Sequence, residues 1–401
     1  MKKSILIYIG VGTVATLLSI FIWLQLTSDS APEHVFFREL RIDTFFVDHP
    51  SPILIQKYFE TYTSEGGTEY FTTVNRNRTG IDVQPLNGDK YFTIELDSFS
   101  GPDSIKMSFD LLYCYKIVSW DSIFLINKAG STIFMSDKEG NISTYWTVTD
   151  TICNGPYFKL RAYTFSELTY TQGNIYVGFN PFFNTQPEIF SCDAIAKIPL
   201  PPGGGNTKIE RMLAPYPSVY TRSDDVYGVT GFQCSYTCTQ SGSTPTFVAS
   251  FPKDHDLYRV DEFGSADPIP ARSDYIKRFA PFRGDFTNPV DNLRYESEQP
   301  RYWKVMYDSY RKLYYRIALH PQKFSDGAAN RELYEKPWSI MVFDEKFEIL
   351  GEQKFSAQQF FPIDMFVGKQ GLYVSNARVR REGIPDRQLS FTLFEVKLPS
   401  I

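Results

Sequence analysis

The sequence lacks every short pattern that would name a reaction. It holds no His-Glu-x-x-His for a zinc hydrolase, no Gly-x-Ser-x-Gly for a serine nucleophile and no Gly-x4-Gly-Lys to cradle phosphate. Histidine is scarce, with four residues (His34, His49, His255, His320) scattered along the chain, and no Cys-x2-Cys pair occurs, so zinc is disfavoured. Asp224-Asp225 and Asp261-Glu262 stand in no EF-hand register and read as turn acids rather than calcium ligands. No cofactor is implied. The five cysteines (Cys114, Cys153, Cys192, Cys234, Cys238) leave at least one thiol unpaired. In a strand Cys234 and Cys238 would lie about 13 Å apart, beyond disulfide reach, so free buried thiols are the expectation. A basic excess is missing too: 41 Lys and Arg against 46 Asp and Glu give a net charge of -5, which excludes the phosphate-neutralising surface that nucleic-acid binding requires.

Long hydrophobic runs are absent except for one. Residues 5–26 are apolar or weakly polar, follow Lys2 and Lys3, and have the roughly 20-residue length that spans a bilayer rather than the 7 to 15 of a cleaved signal's core. The expectation is an N-terminal transmembrane or signal helix within residues 1–30, an uncleaved anchor being favoured although Ser28-Asp29-Ser30 before Ala31 would also suit a signal peptidase. The lysines stay in the cytoplasm, so residues 31–401 are exported as one domain.

What the chain does have is repetition. From about Leu111 to Leu398 a hydrophobic strand, a tight turn rich in Asp, Glu and Gly, and a second strand recur, with hardly any helix-period pattern between them. The unit is seen at Ile133-Phe-Met-Ser-Asp-Lys-Glu-Gly140, Leu257-Tyr-Arg-Val-Asp-Glu-Phe-Gly264 and Ser339-Ile-Met-Val-Phe-Asp-Glu-Lys-Phe-Glu-Ile-Leu350. This predicts an all-β fold, a six-bladed β-propeller of four-stranded antiparallel blades, with uneven spacing that leaves seven blades open. The first blade includes Tyr70–Asn75 and Lys90–Leu96, and later ones fall near 105–150, 158–215, 226–275, 300–355 and 360–399. Loops at 180–187, 199–206, 241–245, 266–301 and 378–387 absorb the surplus length, and Gly203-Gly204-Gly205 reads as a flexible turn. Ring closure should pair Ser390–Leu398 with a strand from the other end of the chain. Aromatics, 16% of the chain, belong mainly to the sheet core.

Two polar stretches stand out. In Phe251-Pro-Lys-Asp-His255-Asp256-Leu-Tyr258-Arg259, His255 beside Asp256 resembles a general base with its orienting acid, against the simpler alternative of a polar turn that pairs locally. Tyr302–His320 predicts a hairpin turning at Asp308–Lys312, with Leu313, Tyr315, Ile317 and Leu319 on one face and Tyr314, Arg316, Ala318 and His320 on the other. Arg316 inside such a strand needs an anion, either from the neighbouring blade or from a ligand in the central funnel. Between Arg272 and Lys323 eleven Lys and Arg face six Asp and Glu, a bias toward an anion-attracting rim. His255, Asp256, Arg259, Arg311, Tyr315 and Arg316 are therefore the candidate ligand-binding residues; no catalytic or metal residues are assigned.

The blocks Phe251-Pro-Lys-Asp-His-Asp-Leu-Tyr, Tyr307-Asp-Ser-Tyr-Arg-Lys-Leu-Tyr-Tyr-Arg-Ile, Lys336-Pro-Trp-Ser-Ile-Met-Val-Phe-Asp, Gly371-Leu-Tyr-Val-Ser-Asn and Phe391-Thr-Leu-Phe-Glu-Val resemble the bacterial family called domain of unknown function 4221. The resemblance covers most of the chain after the anchor. It implies a six-bladed, TolB-like propeller in the envelope of Gram-negative bacteria, commonly as a lipoprotein, and it transfers no catalytic residues. No Cys follows the apolar segment here, so lipid attachment is replaced by a peptide anchor or by cleavage, with the propeller facing the periplasm. Asp103-Ser-Ile, Asp121-Ser-Ile and Asp150-Thr-Ile resemble a short periplasmic O-glycosylation acceptor. The functional expectation is a membrane-anchored binding or scaffold module for an envelope protein partner or glycan, more a binder than an enzyme. The alternative is a small-ligand receptor or enzyme with an anion site in the central funnel. Oligomeric state is not legible.

Overall fold

The computed structural model describes residues 36–48, 58–75, 78–88, 91–96, 112–127, 129–149, 158–160, 162, 166–181, 192–221, 227, 233–241, 244–285, 287–324, 336–357, 359–376 and 388–397. The expected N-terminal helix lies outside these residues, and among them no helix is long and apolar enough to cross a membrane.

Strand follows strand through tight turns, and the chain lays down six antiparallel blades in sequence order. After Phe36–Asp48 (β1), blade 1 is Phe59–Thr63 (β2), Glu69–Val74 (β3), Gly80–Pro85 (β4) and Phe92–Glu95 (β5). Blade 2 is Leu112–Ser119 (β6), Ser122–Asn127 (β7), Thr132–Ser136 (β8) and Ile142–Thr149 (β9). In blade 3 the inner position is shared by Phe158–Leu160 (β10) and Thr169–Thr171 (β11), which both pair with Asn174–Pro181 (β12), followed by Ile195–Pro199 (β13). The next strand, Gly205–Lys208 (β14), leaves its own blade and runs parallel to β9, and Arg211–Leu213 (β15) then completes blade 3. Blade 4 is Ser235–Ser241 (β16), Thr244–Ser250 (β17), Leu257–Val260 (β18) and Ala266–Ile269 (β19). Blade 5 is Arg301–Asp308 (β20), Leu313–Leu319 (β21), Trp338–Phe343 (β22) and Ile349–Phe355 (β23), and blade 6 holds Phe360–Gly368 (β24), Gly371–Asn376 (β25) and Gln388–Lys397 (β26).

Blade 6 takes its fourth strand from the start of the chain. β1 pairs antiparallel with β26, from Phe36 opposite Lys397 to Asp48 opposite Gln388. The expected closure is therefore present, and the count is six rather than seven blades.

The core lies between blades. The central strands β21 and β22 are buried at every position, because alternate side chains enter opposite interfaces. Leu313, Tyr315, Ile317 and Leu319 join Trp338 and Ile340 against Met365, Leu372 and Phe394 of blade 6, whereas Tyr314, Ala318, Met341 and Phe343 face Val248 and Leu257 of blade 4. Both faces of the hairpin fall as the alternation predicted. Each such large side chain contributes about 1.5–3 kcal/mol on burial.

The repeated acidic turn has one construction in three blades. Asp137, Asp261 and Asp344 each accept the amide of the residue four positions on, at 2.8 Å in every case. The residue three positions on is left-handed: Gly140 (φ 85°), Gly264 (φ 86°) and, in blade 5, Phe347 (φ 66°). Phe347 holds that unfavourable conformation while its ring stacks on Tyr314 at 4.7 Å. At Gly140 a side chain would also collide with the carbonyl oxygen of Glu95 in blade 1, so glycine serves both the turn and the close approach.

Two expectations need correction. The stretch 266–301 is not a plain loop: it contributes β19 and a helix, Pro289–Glu298. Asn288 caps that helix by accepting Val290 N, Pro289 sits at its first turn, and the ammonium groups of Lys253 and Lys336 take the carbonyls of Pro300, Glu296 and Gln299 at its far end. A ten-residue helix with one short apolar face is easily missed in a strand-rich sequence. The glycine run 203–205 is not merely a flexible turn, since Gly205 begins the parallel strand β14. The thiols of Cys234 and Cys238 are free, as expected, and so is that of Cys114, whereas Cys192 is disulfide-bonded.

Deleting residues 1–48 should leave β26 as an open, unpaired edge. The expected result is loss of the monomer peak and of the cooperative melt in size-exclusion and thermal unfolding measurements. A truncated chain that melted like the full one would show that closure carries no stability.

Candidate functional site

In each blade the first strand borders the axis of the ring, and these inner strands enclose a cavity of about 290 Å³. β2, β6, β16, β20 and β24 contribute to its wall, together with Glu167 just ahead of β11, so all six blades reach it. At one end Thr63, Ser309 and Tyr310 form the lip. There the Tyr310 hydroxyl reaches past blade 6 to donate to Glu69 of blade 1 at 3.1 Å.

Four acidic or basic side chains from four blades converge in this space: Glu60, Lys116, Glu167 and Lys304. Glu60 and Lys116 are joined to each other. The Lys116 ammonium donates to Glu60 Oε2 at 2.9 Å, and the backbone amide of Ile117 donates to Oε1 at 2.7 Å. Burial pushes the Glu60 carboxyl up against the pull of Lys116. For Lys116 the burial that would lower it is outweighed by Glu60 and Glu167, which hold it above the usual lysine value.

Lys304 is treated differently. It is buried, donates to the Met365 carbonyl at 3.0 Å and lies 5.5 Å from the centre of the Phe59 ring. Among the described residues it forms no ion pair within 4 Å, which leaves two of its N–H groups without a protein acceptor. Burial brings it down to about 8, with Glu167 and Asp364 pulling the other way. The Glu167 carboxylate accepts no hydrogen bond among the described residues, although its backbone is fixed on both sides. The Tyr236 hydroxyl donates to Glu167 O at 2.5 Å, and Leu168 N donates to the Tyr58 hydroxyl at 3.2 Å. Cys238 also lines the wall, and burial pushes its thiol up to about 12, so it is not a thiolate at neutral pH.

None of the six residues singled out in the sequence is among those that line this cavity. They fall into three places. Arg316 is fully buried, with its guanidinium 3.4 Å from the centre of the Tyr302 ring and donating to Ser250 Oγ, Ala271 O, Asp254 O, Asp256 O and His255 O. The anion it needed is replaced by a cage of neutral acceptors from blade 4, which binds the two blades together. Burial pushes Arg316 down to about 10, still charged at neutral pH. His255 and Asp256 therefore meet Arg316 through backbone carbonyls, while the His255 ring contacts the Tyr302 hydroxyl at 3.0 Å. Burial lowers the imidazole and raises the Asp256 carboxyl.

Arg311 and Tyr315 share the second place. Both donate to Asp308 Oδ2 at 2.9 Å, and Arg311 also holds the carbonyls of Gly368 and Lys369 in blade 6. Arg259 is alone at the surface with Asp267 at 3.2 Å. Sequence reasoning missed Glu60, Lys116, Glu167 and Lys304. A signal existed, because Phe59-Glu60-Thr61-Tyr62, Tyr115-Lys116-Ile117 and Trp303-Lys304-Val305 each place one charge in a hydrophobic first strand. Among the described residues no group of three His, Cys, Asp or Glu is arranged to hold a metal ion.

Residues 43–354 match the family described as Domain of unknown function (DUF4221). No curated protein matches. Among solved structures, the crystal structure of a DUF4221 family member from Bacteroides vulgatus aligns with TM-score 0.76 at 21% identity, over 92% of this chain and 100% of that one. The likeness is in the fold. The calcium-binding protein regucalcin from Agrobacterium tumefaciens aligns with TM-score 0.44 at 12% identity, over 90% of this chain and 95% of that one. A virginiamycin B lyase from Staphylococcus aureus gives TM-score 0.41 at 11% identity, over 89% and 99% of the two chains.

Replacing Arg316 by Met would orphan its cage of buried acceptors, and the expected loss in urea unfolding is at least about 3 kcal/mol. Arg259→Ala, which removes an exposed pair, should change stability by less than about 0.5 kcal/mol.

Proposed function

This chain belongs to the DUF4221 family, and we propose that it is an exported binding propeller whose central channel takes a small charged ligand. The observation that carries this reading is Lys304, a buried ammonium without an ion pair among the described residues, in the wall of a cavity reached by every blade. A buried cation is costly unless it is paired, and such groups concentrate where a ligand supplies the missing partner. A cavity of about 290 Å³ with aromatic walls (Phe59, Phe366) and hydroxyls (Thr61, Thr237) suits a molecule of metabolite size. The inert Cys238 thiol favours binding over nucleophilic chemistry.

Export is supported by the apolar run 5–26 behind Lys2 and Lys3, and by the disulfide at Cys192, which fits an oxidising compartment such as the periplasm. A second reading, capture of an envelope protein or glycan at the rim, draws on Tyr91, Phe92 and Val118 of blades 1 and 2. These are exposed, and Phe92 lies 5.9 Å from Trp120. Loss of envelope crosslinks in a Phe92→Ser, Val118→Ser variant would favour that reading.

Lys304→Met separates a functional lysine from a structural one. If the ammonium is there for a ligand, the variant should be more stable than the parent by about 1–3 kcal/mol, as replacement of buried charge by an apolar group of similar size allows. It should also lose the thermal shift produced by small carboxylates. A variant that is less stable would assign Lys304 to holding Met365 in place.

Binding should depend on pH in a defined direction. The charged form of Lys304 holds an anion, so affinity for a carboxylate, followed by calorimetry, should be flat below pH 7 and fall as pH rises through about 8. The apo protein should show the reverse slope. Lys304 binds its proton less tightly folded than unfolded, so between pH 8 and the ordinary lysine value stability should rise, by at most about 1.4 kcal/mol per pH unit from this group.

A further inference from the structure

The charges in the channel differ in how far the protein already satisfies them. Glu60 has both oxygens engaged, by Lys116 at 2.9 Å and by the Ile117 amide at 2.7 Å. The Glu60 carboxylate is thereby satisfied, and Lys116 has an ion-pair partner in it, although among the described residues Lys116 donates no second hydrogen bond and Glu167 also acts on it. Lys304 of blade 5 and Glu167 of blade 3 are open: one has free N–H groups, and the other has a carboxylate with no donor among the described residues. Blade 4 lies between them on the ring and offers the Thr237 hydroxyl to the same cavity. Glu167 is held in place by backbone contacts alone, through Tyr236 and Tyr58 and through the bridge between Ser166 and Tyr236. Its side chain is therefore presented to the cavity from a backbone tied to Tyr236 and Tyr58.

We infer that the ligand of this site is a small zwitterion, a molecule carrying a carboxylate for Lys304 and a primary amine for Glu167. The inference rests on the channel reading above and adds the ligand's chemistry. With two carboxylates and two ammonium groups in the wall, the cavity has no net charge to neutralise. A dianion would meet Glu60 and Glu167, and a dication would meet Lys116 and Lys304. A net-neutral molecule with separated charges satisfies both open groups without leaving either of its own charges buried and unpaired. The hydroxyls of Thr61, Thr63 and Ser309 can solvate what lies between, and the rings of Phe59 and Phe366 can cover its carbon chain.

The test is calorimetry on the purified full chain with straight-chain ω-amino acids from glycine to 6-aminohexanoate. Each is set beside the carboxylate and the amine of the same carbon count. The inference expects one chain length to bind at least about tenfold more tightly than either matched monofunctional probe, because the second charge–charge hydrogen bond adds to the first. Glu167→Gln should abolish the advantage of that amino acid over its matched carboxylate when both are measured on the same variant.

If carboxylates bind as tightly as amino acids at every length, the zwitterion inference is overturned and the channel remains an anion site. If amines alone bind, the inference is likewise overturned and the role of Lys304 with it. If no probe binds at up to 10 mM, on the order of the weakest useful affinity, both the inference and the channel reading fall. The probe series on the unmodified protein decides among these outcomes even where a variant fails to fold.

Discussion

A β-sheet with apolar side chains on both faces must be covered on both, and no blade of this protein can cover itself. Val248 and Leu257 of blade 4 are shielded by Tyr314 and Met341 of blade 5, while Leu313 and Trp338 of blade 5 are shielded by Met365 and Leu372 of blade 6. The requirement passes from blade to blade until it returns to the start, where Phe71 of blade 1 packs on Phe366 and Phe391 of blade 6 at 5.2 and 5.4 Å. Stability is thus a property of the ring, with neighbouring interfaces as its units. The pairing of β1 with β26 keeps the sixth blade from ending in a bare edge.

The same packing rule explains why two buried cations on blade 5 have opposite characters. Arg316 lies on the second strand, inside an interface, where any unmet donor would be sealed from water; its N–H groups accordingly all find oxygens of blade 4. Lys304 lies on the first strand, where the blade meets the axis and the wall opens onto a cavity. There the fold can leave donors unmet because water or a ligand can reach them. For these two residues strand position sets the character: Arg316 cross-links blades 4 and 5, and Lys304 faces the cavity.

That distinction also marks what the sequence could and could not convey. Strand alternation and the recurring acidic turn were enough to lay out a propeller with six blades as the favoured count, because both signals are local; the bounds of blades 3, 5 and 6 agree with the observed strands to within a few residues, while those of blades 2 and 4 began seven and nine residues early. The split of Leu313–His320 into two faces was equally local. Which face of a strand meets a neighbour and which meets the axis is not local. Arg316 and Lys304 are both basic residues in hydrophobic strands, and the first was chosen because its surroundings are richer in polar residues. In the structure that richness, at His255 and Asp256, belongs to a turn whose carbonyls hold the arginine. Glu167 was invisible for a different reason: it precedes the three-residue strand β11, too short to carry a pattern.

Ring closure between the two ends of the chain has a consequence for how the protein comes into being. Every other blade can form from contiguous sequence as it emerges, but β1 is made first and its partner β26 last, nearly the whole chain later. The closing contact thus has the largest possible sequence separation, the kind that forms slowly and late. Until the last strand arrives, blade 1 presents one uncovered aromatic face and β1 has no hydrogen-bonding partner. A half-made ring is adhesive on that side, so the interval between synthesis of the first and last strands is when the chain exposes most of the surface that drives misassociation.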